Sequence, residues 1–246
     1  MCRLMGYVAN DSTTIAEIAG PDFAEFTALS AKHGDGWGIA STPPSNSTPE
    51  LLVEPGRAKE SSKYSQAVRT IESNAALLHL RWATLGLSVS EGNTHPFVHG
   101  DISFIHNGGI KPPASLDVGI DPKYFSQMRG DTDSERYFYY LLTQIDKTDL
   151  KSGVLAGVKA ISSGFEYSSI NAMMMTPDFL VVICEHNNNK IPDDEGLDYY
   201  ELYYRKDERG ILIASTGWNQ SGWNNLPNHH VMFVDRKSQE VEVIAL

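Results

Sequence analysis

The stretch Ser169-Ile170-Asn171-Ala172-Met173-Met174-Met175-Thr176-Pro177-Asp178-Phe179-Leu180-Val181-Val182-Ile183-Cys184 reads as two strands, Ser169–Thr176 and Phe179–Cys184. Both are short apolar runs, too brief for buried helices, and turn residues separate them. The same reading continues downstream through Tyr199–Tyr204, Gly210–Ala214, Val231–Val234 and Glu240–Ile244. Immediately upstream stand two helices, Thr132–Ile145 and Ser152–Ser163. The first opens on Asp131-Thr132-Asp133-Ser134-Glu135, which is dense in capping and acidic residues that favour a helix N-terminus. Nearer the start, Cys2–Ala9 reads as a strand and Pro21–Lys32 as a helix with Phe23, Phe26 and Leu29 on one side. Trp37–Ser41 is a short strand that Leu51–Glu54 can pair with, Ser62–Ser73 is helical, and Ala75–Ala83 is a buried strand. Asp101–His106 is a strand, expected to end in a turn at Asn107-Gly108-Gly109. Helices and strands are segregated more than they alternate. That pattern predicts an α+β layered domain with mainly antiparallel sheets and argues against a doubly wound parallel sheet.

The chain has 246 residues, of which 41% are apolar, with 31 acidic against 20 basic side chains and a net charge of −11. Such composition excludes wholesale disorder; the length allows one larger domain or two small ones, and the order of motifs along the chain makes a single domain over 1–246 the expectation. The acidic balance argues against nucleic-acid binding, which needs a basic face. There is no run of about 18 apolar residues, so no membrane span is expected. The N-terminus has no signal-peptide pattern, and a cytoplasmic location is expected. Ser41–Pro49, with three prolines and several hydroxyls, reads as an exposed loop, and His186–Asp198 as another. Gly34-Asp35-Gly36-Trp37-Gly38 is glycine-rich but no lysine follows, so a nucleotide cradle is poorly supported. The two cysteines, Cys2 and Cys184, allow neither a disulfide framework nor a cysteine zinc site. The eight histidines show no metal-binding spacing; Pro96 argues against a helix that would put His95 and His99 on one face.

Five features can carry chemistry. Cys2 follows the initiator Met, and with Met1 removed its own α-amine, of pKa near 7.7–8, would lie within reach of the sulfur as a base. Alone, a cysteine there is better read as an apolar filler. Arg81 ends the apolar strand Ala75–Ala83, where a guanidinium needs an anion: either a structural carboxylate or a ligand's. Asn107-Gly108 is either a hairpin turn or an oxyanion hole built from the Asn107 amide and the Gly108 N–H. Asp133 is either part of a helix cap or the partner of a substrate ammonium. The histidines are better read as structural than as a metal site.

The order of these features is more specific than any one of them. Met1-Cys2-Arg3-Leu4-Met5-Gly6-Tyr7, His33-Gly34-Asp35-Gly36-Trp37-Gly38-Ile39-Ala40, Arg81-Trp82-Ala83-Thr84, Asn93-Thr94-His95-Pro96-Phe97, His106-Asn107-Gly108 and Thr132-Asp133-Ser134-Glu135 follow one another along about half of the chain. This succession resembles the class II glutamine amidotransferases, which are N-terminal-nucleophile (Ntn) hydrolases. The opening hexapeptide and the Gly-Asp-Gly-Trp-Gly segment look like the stand-alone YafJ-like branch, with its relatives that hydrolyse γ-glutamyl amides. The resemblance implies a four-layer αββα sandwich and a mature start at Cys2. It implies Cys2 as nucleophile, Asn107 and Gly108 as oxyanion hole, Arg81 as the α-carboxylate ligand with Trp82 and Thr84 as pocket wall, and Asp133 as the α-ammonium ligand. Leu85 departs from the His that many relatives with a fused synthase carry there. His33, Asp35 and Trp37 match a motif whose role the sequence does not reveal.

The resemblance further implies hydrolysis of a γ-glutamyl amide through a γ-glutamyl thioester, releasing glutamate and ammonia or an amine, with no metal or organic cofactor. The expected partner is a small γ-glutamyl substrate. The whole length is used by the hydrolase, so an ammonia-acceptor enzyme, if there is one, is expected on a separate chain; a homo-oligomer is left open. The alternative is a non-catalytic Ntn-fold subunit or γ-glutamyl binding protein, which retention of Met1 would favour.

Overall fold

The computed structural model describes residues 2–42, 48–83 and 86–246. Strands β1 (Arg3–Thr13), β2 (Gly36–Ser41), β3 (Glu50–Glu54) and β4 (Ser73–Arg81) belong to one sheet, with helices α1 (Ile15–Ala19), α2 (Asp22–Ala28) and α3 (Ser62–Thr70) between them. Next come β5 (Phe97–His99) and β6 (Ile102–Lys111), then helices α4 (Asp133–Lys147) and α5 (Leu150–Gly164). The chain finishes with β7 (Glu166–Met175), β8 (Phe179–Cys184), β9 (Leu202–Asp207), β10 (Gly210–Ser215), β11 (Asn224–Leu226), β12 (His230–Asp235) and β13 (Val241–Ala245). The first sheet has the order β11-β9-β10-β1-β4-β2-β3, the second β13-β12-β8-β7-β6-β5. Every pairing among the described residues is antiparallel.

Three apolar layers hold the sheets and helices together. Leu4, Val8, Ala75 and Leu77 of the first sheet meet Ile105, Met173, Met175 and Val182 of the second. Met5, Tyr7, Leu78 and Leu80, on the opposite face of the first sheet, pack with Ile15, Phe26, Tyr64 and Val68 of α1–α3. Phe104, Ile110, Met174 and Ile183 pack under Tyr137, Phe138, Leu141 and Val158 of α4 and α5. The result is the expected αββα sandwich. Both faces of each central strand are covered, which explains why β8 and the Ala75–Leu78 run of β4 are continuously apolar instead of alternating. Gly6 lies where the sheets approach most closely: a Cβ there would stand 2.9 Å from Met173 Sδ.

The element boundaries differ from expectation in instructive places. Helix α2 ends at Ala28 and passes into a 3-10 turn, Leu29–Ala31, so Pro21–Lys32 is not one continuous α-helix. Ser41 and Thr42 are buried, not exposed loop, and most of the rest of that segment, 43–47, lies outside the described residues. The largest difference is β6. It does not turn at Asn107-Gly108-Gly109 but runs straight through to Lys111, paired with β7 and carrying a bulge between Gly108 and Ile110. A full ladder to β7 outweighs the local turn propensity of Asn-Gly.

Candidate active site

The antiparallel register of β1 on β4 sets Arg3 opposite Leu80 and Leu4 opposite His79. One step further along, Cys2 stands across from Arg81, and directly opposed residues project to the same face. That face is the one between the sheets, where Leu4 and Leu77 lie. Cys2 is half-buried, with its thiol 3.7 Å from the Trp82 carbonyl. Burial pushes the Cys2 thiol above its ordinary range, nearby Asp133 adds to the rise, and the Arg81 guanidinium opposes it. Arg81 is itself buried; its Nη2 donates to the Ser88 carbonyl at 3.1 Å, and its Nη1 has no partner. A buried guanidinium nitrogen left unpaired is costly, and an anion would satisfy it.

Asp133 is the first residue of α4. Thr132 caps the helix, accepting the Glu135 N–H at 3.1 Å, and such a cap is worth about 1 kcal/mol. The Glu135 carboxylate turns back to accept the Arg129 and Gly130 N–H groups, both at 2.8 Å. These bonds hold the start of the helix, and Asp133 Oδ2 accepts the Ile110 N–H at 2.8 Å. The dense acidic cluster read as a cap is therefore both a cap and a positioned carboxylate.

Asn107 is fully buried, and neither Nδ2 nor Oδ1 of its side chain has a partner. By strand alternation it faces the same intersheet layer as Ile105. Gly108 has φ +154°, and a Cβ there would fall 1.8 Å from the Ser169 carbonyl oxygen. Only glycine fits, so the backbone at this point is free of side chain and open to a ligand.

Cys2, Arg81, Trp82, Gly108 and Asp133 line one tight cavity of about 30 Å³, together with Asn93, His95 and His106. Five of the expected site residues are thus brought together. Asn107 is not on the wall, although its neighbour Gly108 is, and Thr84 lies outside the described residues. Trp82, Ala83, Leu87, Gly108 and Asp133 also border a second cavity of about 780 Å³, which extends past Lys111, Glu166 and Ser168. Cys184 is far less available: it is buried, bonds to the Leu226 carbonyl at 3.4 Å, and burial pushes its thiol up to about 12. Among the described residues, no group of three or more His, Cys, Asp or Glu could hold a metal ion.

Several supporting residues acquire roles that sequence reasoning did not assign. Asp35 donates its backbone N–H to the Arg81 carbonyl at 3.0 Å and accepts the Ala83 N–H on Oδ2 at 2.8 Å, so it brackets Trp82. His33 meets the Trp82 ring edge-on at 5.6 Å, and Trp37 packs against Tyr64 in the outer layer. The Asn93 amide donates to Ser88 and to Asp131 Oδ1, tying the segment after Arg81 to the approach of α4. The Gly34-Asp35-Gly36-Trp37-Gly38 segment is the available signal for Asp35, but only the fold shows which amide it holds.

Two buried histidines, His95 and His106, line the cavity, and a third, His79, is buried behind them. His79 Nε2 donates to the His106 carbonyl at 3.2 Å and His106 Nε2 to the Ser169 carbonyl at 3.2 Å, while His106 Nδ1 accepts from Ser134 Oγ at 2.8 Å. A carbonyl can only accept, so both rings carry their proton on Nε2. Burial pulls His79 down to about 3, holds His95 well below its ordinary value, and lowers His106. The His79 and His95 rings stack with centroids 4.1 Å apart.

Two facing antiparallel sheets sandwiched by helices define a layered αββα fold, and a cysteine, an arginine and a carboxylate converge at one end of it. The chain belongs to the class-II glutamine amidotransferases, matching that family over residues 1–236. It is 27% identical over 256 residues to an uncharacterized protein of Methanocaldococcus jannaschii, covering 94% of this chain and 68% of that one. It is 23% identical over 246 residues to the gamma-glutamyl-hercynylcysteine sulfoxide hydrolase of Mycobacterium tuberculosis, covering 96% of this chain and 94% of that one. Its fold matches a glutamine aminotransferase class-II domain protein of Silicibacter pomeroyi with a TM-score of 0.70 at 16% identity, over 100% of this chain and 99% of that one.

Proposed function

We propose that this protein hydrolyses a γ-glutamyl amide through a γ-glutamyl thioester on Cys2. The observation that carries the reading is the convergence of Cys2, Arg81, Gly108 and Asp133 on one cavity. Arg81 Nη1, free of protein partners, takes the substrate α-carboxylate. Asp133 takes the α-ammonium through the carboxylate oxygen not engaged by Ile110. With both groups on its α-carbon held, the substrate presents its γ-carbonyl to the Cys2 sulfur, and such orientation is worth several kcal/mol.

Removal of Met1 frees the Cys2 α-amine, which accepts the thiol proton. This answers the raised thiol pKa, since a local base supplies thiolate that solvent would not. The sulfur attacks, and the Gly108 N–H and Asn107 amide stabilise the oxyanion; one such donor is worth about 3 kcal/mol of barrier. The C–N bond breaks, the departing amine carries away the proton, and water then cleaves the thioester to glutamate and free thiol.

The leaving group is read as an amine larger than ammonia. The support is the cavity of about 780 Å³ adjoining the cysteine pocket, a volume typical of sites for whole organic ligands and far beyond what ammonia needs. The similarity to the mycobacterial hydrolase points the same way. The test is glutamate release from a panel of γ-glutamyl compounds that includes glutamine, with intact mass run in parallel. Release from γ-glutamyl amines above that from glutamine, in protein lacking Met1, is the expected result. Preference for glutamine returns the protein to the glutaminases, and no release from any compound leaves the binding-protein reading.

A further inference from the structure

His95 is 3% exposed, lines the same cavity as Cys2, Arg81 and Asp133, and has no hydrogen-bond partner among the described residues on either ring nitrogen. Its two buried neighbours differ on this point: protein carbonyls set the proton positions of His79 and His106. Among the described residues, none sets that of His95. Stacking on His79 at 4.1 Å and edge-on contact with Phe97 at 4.5 Å fix the plane of the ring, so its nitrogens are held in place without being used. Leaving both unpaired in a buried site is unfavourable unless a ligand completes them.

The need for a second donor is visible at Arg81. A carboxylate offers about four lone-pair sites, and one arm of the guanidinium is already committed to the Ser88 carbonyl. A neutral imidazole provides one N–H and one acceptor; burial keeps His95 neutral, and the neighbouring Arg81 charge acts in the same direction.

We propose that His95 is a substrate-binding residue whose ring N–H bonds the α-carboxylate beside Arg81 Nη1. This rests on the γ-glutamyl reading above and adds to it a second, uncharged contact for the carboxylate. The neutral state matters: a second cation next to Arg81 would repel it, whereas a neutral donor adds a hydrogen bond without charge.

The experiment compares two ligands by calorimetry on the processed protein: glutamate, and 4-aminobutyrate, which lacks only the α-carboxylate. Wild-type protein is expected to prefer glutamate. His95→Phe keeps a flat buried ring without donors and is expected to weaken glutamate about tenfold while leaving 4-aminobutyrate unchanged. His95→Gln restores an N–H donor and is expected to recover part of the loss, and it also serves if the Phe variant does not fold. Equal weakening of both ligands would make His95 a packing residue and overturn the proposal, as would unchanged glutamate binding in both variants. Wild-type protein that binds neither ligand overturns the γ-glutamyl reading itself, and this proposal with it.

Discussion

Asp133 Oδ2 accepts the backbone N–H of Ile110 at 2.8 Å. Together with the Ser134 Oγ–His106 Nδ1 bond, it joins the first turn of α4 to the bulged strand that carries Asn107 and Gly108. The residue proposed to hold the substrate ammonium and the backbone proposed to hold the oxyanion are therefore mechanically linked. Asp133→Asn keeps the shape and an acceptor for Ile110 but removes the charge. The Michaelis constant for a γ-glutamyl substrate is expected to rise on the order of 10–100-fold, as for loss of a charged hydrogen bond. Steady-state kinetics that show an unchanged constant would remove Asp133 from the ammonium site.

Selective labelling separates the two cysteines. A glutamine-like diazoketone is expected to add to Cys2 alone, because Cys184 is buried with its thiol pushed up to about 12. Peptide mass spectrometry locates the adduct. Modification of Cys184 with Cys2 untouched would sink the nucleophile assignment.

The Ala83 N–H donates to Asp35 Oδ2 at 2.8 Å. Asp35→Ala leaves that amide unpaired and releases the segment that positions Arg81 and Trp82. A stability loss of about 1–2 kcal/mol in urea unfolding is expected, with weaker substrate binding. A variant as stable and as active as the parent would show that the bracket is dispensable.

The buried histidines make stability depend on pH. Above pH about 6.5 the imidazoles are neutral in both folded and unfolded chains and cost nothing. As the pH falls from there toward about 3, the unfolded chain takes up a proton that buried His79 refuses. Stability therefore drops, by up to about 1.4 kcal/mol per pH unit for each such group. His95 and His106 act in the same direction. Urea unfolding between pH 7 and 5, above the carboxylate range, should show a steep fall that His95→Gln makes shallower. A flat profile would mean that the rings are already charged in the native state.

Gly108→Ala tests the bulge. A Cβ 1.8 Å from the Ser169 carbonyl oxygen at φ +154° forces β6 and β7 apart. A loss on the order of 3 kcal/mol or an insoluble product is expected, the range of backbone strain in a buried site. Wild-type melting behaviour in this variant would falsify the geometry described for the oxyanion arm.

Much of this was legible from residues alone. The strands and helices of the second half were readable because their periods and caps are local, Thr132 above all. Arg81 was legible as a charge that needed an anion, and Cys2 as a thiol beside a terminus. Asn107 was ambiguous, because turn propensity and oxyanion chemistry favour the same dipeptide. The choice was made by β7, whose ladder lies more than sixty residues along the chain.

By itself the sequence determined the types of the elements, the layered α+β class and the ordered motifs, since propensity, capping and burial pattern act over a few residues. Only the tertiary structure decided that Cys2 faces Arg81 across a strand register and that Asp133 meets the bulge of β6. It alone stacked His79 on His95 beside them and left His95 unpaired. These are long-range relations, set by which strands pair and how two sheets pack, and no local signal encodes the partner of a buried polar atom.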